Sequence, residues 1–142
     1  MKSFAYPEYI CLLHAAKMLG RPIKWTDERS SSFLSDQQGR DHDVEGELAL
    51  DKDGNFLAVR LSLFSNMGGY LAAVGPNMAT NNMVKNITSV YKTPAIEIST
   101  KCVFTNTTPI SADRGAGRPE ANYYMERLIE TAAQELGIDS LK

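Results

Sequence analysis

The sequence predicts an α+β fold: a curved, mainly antiparallel sheet with helices packed on one face, in a single domain over residues 1–142. Three observations carry this. From Val44 apolar and polar residues alternate, turn at Asp53-Gly54 and alternate again to Phe64, the pattern of a hairpin. A second alternating run spans about Ala95 to Asn106. After Pro119 the apolar residues change to three-and-four spacing, the signature of one buried helix face. Hydrophobic residues make up 43% of the 142, and a chain of this size buries roughly 70% of its unfolded surface on folding, so disorder is not expected.

Taken in order, Tyr6-Pro7-Glu8 opens a segment, Tyr9 to Leu19, that is apolar over most of its surface, with Gly20 as a stop and Pro22 just beyond. A buried helix is expected there. Pro22-Ile23-Lys24-Trp25 is short and extended, and Thr26 or Asp27 is placed to cap a second, more polar helix from about Glu28 to Leu34. The run from Gln37 to Asp43 is polar. Its His42, set among acids, is expected in a solvated turn rather than as a metal ligand or general base. In the hairpin, Val44, Gly46, Leu48 and Leu50 share one side of the first strand, and Leu57, Val59, Leu61 and Leu63 one side of the second. One sheet face is therefore apolar and has to be covered. Asn66-Met67-Gly68-Gly69-Tyr70 breaks the alternation with a bulge, a turn or a close backbone approach, and Pro76 opens a short helix through Val84. In the second long run Ile96, Ile98, Cys102 and Phe104 face one way and Glu97, Ser99, Lys101 and Thr105 the other. The last helix carries Ala121, Tyr124, Met125, Leu128, Ile129, Ala132, Ala133 and Leu136 on its apolar face and ends at Gly137; such a stripe belongs to packing.

Composition excludes several classes of function. The formal net charge is -2, with 15 basic and 17 acidic residues mixed along the chain. That leaves no polybasic field for nucleic acid or an anionic membrane. No apolar run has the length of a membrane span and no signal peptide is recognisable, so a cytoplasmic location is expected. Cys11 and Cys102 are too few for a disulfide framework or for an iron-sulfur cluster, which takes four ligands. Any such cluster has to lie on another chain. Cys11 and His14 stand three apart on one helix, but no second pair has ligand spacing, so no metal site is predicted from this chain.

The stretch Ala112-Asp113-Arg114-Gly115-Ala116-Gly117-Arg118-Pro119-Glu120 runs directly into the last helix. Its glycines allow left-handed backbone and close approach of a ligand, and Pro119 suits the first helical turn. Two readings follow from these residue types. The free N–H groups of a helix N-terminus, beside Arg114 and Arg118, form a site for a phosphate, carboxylate or oxyanion. Alternatively, the glycines and proline only turn the chain, and the arginines are solvated.

Five motifs in sequence order carry a resemblance. Tyr6-Pro7-Glu8, Leu19-Gly20-Arg21-Pro22-Ile23-Lys24-Trp25, Gly39-Arg40-Asp41-His42, Gly68-Gly69-Tyr70 and Arg114-Gly115-Ala116-Gly117-Arg118-Pro119-Glu120 resemble part of the molybdenum-binding large subunit of the xanthine dehydrogenase, aldehyde oxidase and carbon monoxide dehydrogenase family. The resemblance covers essentially the whole chain. It implies a pterin-dithiolene molybdenum cofactor of the molybdopterin type, hydroxylation of an aldehyde or N-heterocycle with oxygen from water, and partner subunits or domains bearing iron-sulfur clusters and flavin.

The same resemblance implies that the chain is a fragment, because the family's large subunits are several times longer. Arg114 then matches the arginine that orients substrate or stabilises charge in the transition state, and is the expected catalytic residue. Gly115, Ala116, Gly117, Arg118 and Lys2 match positions beside the cofactor, Lys2 closing a Phe-Gly-x-Lys stretch that begins before Met1. The family's glutamate base falls outside the chain. Asp113 departs from the pattern, where an aromatic residue is usual, and a carboxylate there is placed to pair with Arg114. Gly115 replaces the copper-bridging cysteine of carbon monoxide dehydrogenases, and Glu120 resembles the broader bacterial branch. Alone, the chain is expected to hold no molybdenum, to be inactive, and to self-associate through uncovered apolar surface. The competing functions are a non-catalytic anion-binding or subunit-docking module and an inactive truncated gene product.

Overall fold

The hairpin forms where the alternation places it. In a computed structural model describing residues 5–141, β1 (His42–Leu50) and β2 (Phe56–Asn66) pair antiparallel, with Val44 opposite Leu63 and Leu48 opposite Val59. The Asp51 carboxylate ties down the turn by accepting the backbone N–H groups of Asp53 and Asn55 at 2.9 and 2.8 Å.

After β2 the chain crosses the apolar sheet face. This crossover carries α3 (Gly75–Asn77), which begins one residue before the predicted Pro76 and passes directly into a π-helical turn, Met78–Asn82. The crossover returns the chain to the end at which β2 began, so β3 (Ala95–Val103) joins β2 in parallel, Leu61 opposite Ile98 and Leu63 opposite Thr100. The α+β class therefore stands, with the sheet mixed in the order β1-β2-β3. Periodicity located the third strand without orienting it.

The last helix, α4 (Arg118–Leu136), ends at Gly137 in the left-handed conformation, with the Gly137 N–H satisfied by carbonyls of the final turn. Its inward face meets the sheet and the crossover. Val59, Leu61 and Leu63 from β2, Ala79, Met83 and Ile87 from the crossover, and Ala121 and Met125 from α4 make one buried cluster. The opposite sheet face is polar and exposed, where Arg60 bridges Glu47 at 2.8 Å and Glu97 at 3.3 Å across the three strands.

Two expectations about the N-terminal helices need correction. The predicted first helix exists as α1 (Pro7–Leu19), but none of its residues is buried; Ile10, Leu13, Met18 and Leu19 are exposed, Leu13 to 73%. Its side chains are apolar around most of the cylinder, and α1 makes no extended contact with another helix or strand. The second helix, α2 (Arg29–Ser35), begins at Glu28 without a side-chain cap, and the Asp27 carboxylate instead accepts the Ser32 hydroxyl.

This division between a packed core and a bare helix has a measurable consequence. Met125→Ala should lower the unfolding free energy of the chain by about 2 to 5 kcal/mol in urea titration, through lost burial and a residual cavity. Leu13→Ala should change it by less than about 0.5 kcal/mol. Equal losses at both sites would mean that α1 packs on the core in solution.

Candidate functional site

The site is assembled by two segments that return to the sheet end at which β2 stops. Asn66, at that end, is the connecting residue: its side-chain amide donates to Asp41 Oδ2 at 2.7 Å and Thr107 Oγ1 at 2.8 Å, and its carbonyl oxygen accepts the Gly68 N–H and the Thr105 hydroxyl. Gln38 and Ile110 form a parallel bridge, with Gln38 N–H donating to Pro109 O at 3.0 Å and Ser111 N–H to Gln38 O at 2.8 Å. The polar run before β1 is thus laid against the run after β3, which brings Arg40 to the glycine loop.

In that loop Gly115, Ala116 and Gly117 take φ of 96°, 48° and 93°, three successive residues in the left-handed region. Such a run persists only when its surroundings hold it, especially at the alanine. Gly117 packs on the crossover: a Cβ there would lie 2.3 Å from the Met78 carbonyl oxygen. Asn82, at the end of the π-helical turn, donates to Ala116 O at 3.1 Å, and Arg118 N–H donates to Gly115 O at 3.3 Å.

Arg40 closes the loop from the other side. Its Nη1 donates to Asp113 Oδ2 at 2.8 Å, its Nη2 to the Arg114 carbonyl oxygen at 2.6 Å, and its Nε lies 3.5 Å from Glu120 Oε1. The backbone N–H of Arg114 and the Arg40 guanidinium hold the Asp113 carboxyl below the usual carboxylate range. Asp113 is therefore engaged with Arg40, not with the Arg114 guanidinium as its neighbouring position suggests.

The predicted site residues lie as follows. Arg114 is exposed, and its guanidinium has no partner among the described residues. Gly115, Ala116 and Gly117 are contiguous with it, and the amide N–H groups of Gly115 and Gly117 meet no acceptor among the described residues. Arg118 is exposed and turned back on the loop, its Nη1 3.4 Å from Gly115 O. Lys2 lies outside the described residues.

Sequence reasoning missed the layer behind the loop. Glu120 is only 8% exposed, and its Oε2 has no hydrogen-bond partner among the described residues. With Arg40, His42, Pro119, Tyr123 and Tyr124 it lines a cleft of about 490 Å³. His42, expected in a solvated turn, is half-buried at the start of β1, with Nδ1 2.7 Å from the Tyr124 hydroxyl. Burial pushes its pKa below the ordinary histidine value despite Glu120 and Asp41 nearby, and burial beside Glu120 pushes Tyr124 up to about 12. The signal for this layer was the run Gly39-Arg40-Asp41-His42, whose partners are distant in sequence. Among the described residues no group of three or more His, Cys, Asp or Glu side chains is placed to hold a metal ion, and no helix is long and apolar enough to cross a membrane.

The fold is thus an α+β domain in which a left-handed glycine loop, seated on the crossover, leads into a helix packed on a mixed sheet. The chain belongs to the molybdopterin cofactor-binding domain family, which it matches over residues 1–142. It is 34% identical to the 6-hydroxypseudooxynicotine dehydrogenase complex subunit gamma of Paenarthrobacter nicotinovorans, over 97% of this chain and 17% of that subunit. It is 33% identical to the carbon monoxide dehydrogenase large chain of Hydrogenophaga pseudoflava, over 94% of this chain and 17% of that one. In three dimensions it is similar to quinoline 2-oxidoreductase from Pseudomonas putida 86, with a TM-score of 0.83 at 32% identity over 95% of this chain and 17% of that protein. The chain thus spans about a sixth of the length of each.

The half-buried histidine makes stability depend on pH. A depressed folded-state pKa means that the unfolded chain binds a proton first, so stability contributed by neutral His42 is present above pH 6.5 and is lost as pH falls from there through the folded value. The melting temperature should drop between pH 7 and 5, and His42→Gln should flatten that part of the profile. An unchanged slope in the variant would show that another group controls it.

Proposed function

We propose that this chain forms part of the cofactor pocket of a molybdenum hydroxylase, an enzyme that hydroxylates an aldehyde or an N-heterocycle with oxygen from water, and that Arg114 is its catalytic residue. The observation that carries the reading is the exposed Arg114 guanidinium, without a partner among the described residues, on a loop whose backbone is constrained on both sides. The donor set suits the cofactor. Two amide N–H groups without acceptors among the described residues, and two guanidiniums at the N-terminus of a nineteen-residue helix, match the oxygen-rich, anionic surface of such a group. Gly115, Ala116, Gly117 and Arg118 would hold it, and Lys2 joins them by the family resemblance. When bound, the cofactor supplies the redox centre for the hydroxylation.

What the chain itself contributes is charge and position. The fixed fork of Arg114 orients a carbonyl or ring acceptor and stabilises negative charge that develops on it, an interaction worth most in a site without water. Gly115 supports an aldehyde or N-heterocycle over carbon monoxide. The copper-bridging cysteine of the resemblance would stand at φ of 96°, with its Cβ 2.4 Å from Pro119 Cγ.

A segment with a sixth of its relatives' length is, on this reading, inactive and free of molybdenum when purified alone. Its bare apolar helices, with Leu13 73% and Phe33 77% exposed, support cover by the rest of a larger subunit or by a second copy of the chain. The iron-sulfur and flavin partners of the resemblance would carry electrons away.

Arg114→Ala in the full-length subunit tests the assignment. Folding should change by less than about 0.5 kcal/mol, molybdenum content should stay constant, and turnover should fall about 10²- to 10³-fold. Undiminished turnover would remove Arg114 from the chemistry. Molybdenum bound stoichiometrically to the 142-residue chain, with dye-linked turnover, would overturn the proposed inactivity.

A further inference from the structure

We propose that Arg40 is a positioning residue that keeps Arg114 free to act: it takes up the carboxylate of Asp113 and aims the Gly115 N–H by holding the Arg114 carbonyl. This rests on the reading that Arg114 faces substrate.

Asp113 precedes Arg114 in the chain, and a carboxylate left unpaired near a guanidinium is available for a charge-assisted bond to it. Arg40 engages that carboxylate first, at 2.8 Å from Asp113 Oδ2. The second contact acts through the backbone. A trans peptide is planar, with its C=O and N–H pointing in opposite directions. Because Arg40 Nη2 anchors the Arg114 carbonyl oxygen at 2.6 Å, the N–H of Gly115, in the same peptide unit, points away from Arg40. That is one of the two loop amides without an acceptor among the described residues. The third contact, Nε to Glu120 Oε1 at 3.5 Å, ties the guanidinium to the first turn of α4.

Arg40 is itself held for this task. Its φ of 56° is left-handed, unusual for arginine, and both flanks are pinned. On one side is the Gln38–Ile110 bridge; on the other, Asn66 N–H donates to Asp41 O at 3.0 Å. A lysine at this position keeps a charge opposite Asp113 but has no planar fork to reach the Arg114 carbonyl and Glu120 at the same time.

The test is a mutant cycle in the cofactor-loaded full-length subunit, with hydrogen exchange on the cofactor-free protein. Arg40→Ala should lower turnover about 10- to 100-fold, the scale of one charge-assisted hydrogen bond, with molybdenum content retained. Adding Asp113→Ala to that variant should restore part of the loss, because the carboxylate freed to pair with Arg114 is then gone. Arg40→Lys should fall between wild type and Arg40→Ala. Amide exchange over residues 113–118 should quicken about tenfold in Arg40→Ala, a change that needs no turnover to observe. An Arg40→Ala variant with normal turnover and exchange, or one whose loss is not relieved by removing Asp113, would overturn the proposal. If Arg114→Ala alone left turnover intact, the failure would lie in the assignment of Arg114.

Discussion

The contact between Gly117 and the carbonyl oxygen of Met78 allows no side chain between them: a Cβ would sit at 2.3 Å. Much of the structure follows from this close approach. It seats the glycine loop on the π-helical turn, whose widened spacing presents Asn82 to the Ala116 carbonyl. It sets the origin of α4, so that Ala121 and Met125 reach the cluster formed by Leu61, Ala79 and Met83. It also leaves the residues before Gly117 to turn back in left-handed conformation, which carries the Arg114 side chain to the surface. Core packing and the exposed guanidinium are consequences of one geometry.

The molecule has two unlike surfaces. One sheet face is closed by the crossover and α4 around apolar side chains, while the other presents the Glu47-Arg60-Glu97 row to solvent. Such exposed pairs add little to stability and serve to keep the face polar. The bare apolar residues of α1 and α2 behave differently. They stand exposed, Leu13 and Phe33 by more than two thirds, on a chain that matches about a sixth of each relative described above.

The strands, their turn, the Pro76 helix and α4 were legible in the sequence because each obeys a local period bounded by a local stop. The burial of α1 was not. Apolar composition states that a surface needs cover, without stating that the same chain supplies it. The direction of β3 depends on a long crossover, which no short-range pattern encodes. The glycine loop was legible as a sharp turn into α4 from its glycines and proline, whereas its residue types left open whether that turn also serves a ligand. The pairing of Arg40 with Asp113, 73 positions apart, was invisible because an ion pair leaves no periodicity. His42 looked solvated among acids, yet the strand it begins turns it toward Tyr124.

The most direct measurement is a crystal structure of the full-length subunit with its cofactor bound. The Arg114 guanidinium and the N–H groups of Gly115 and Gly117 should face the cofactor or substrate within hydrogen-bond distance, about 2.7 to 3.2 Å, while Arg40 spans Asp113 and the Arg114 carbonyl. An Arg114 guanidinium paired with Asp113, or turned to bulk solvent away from the cofactor, would contradict this.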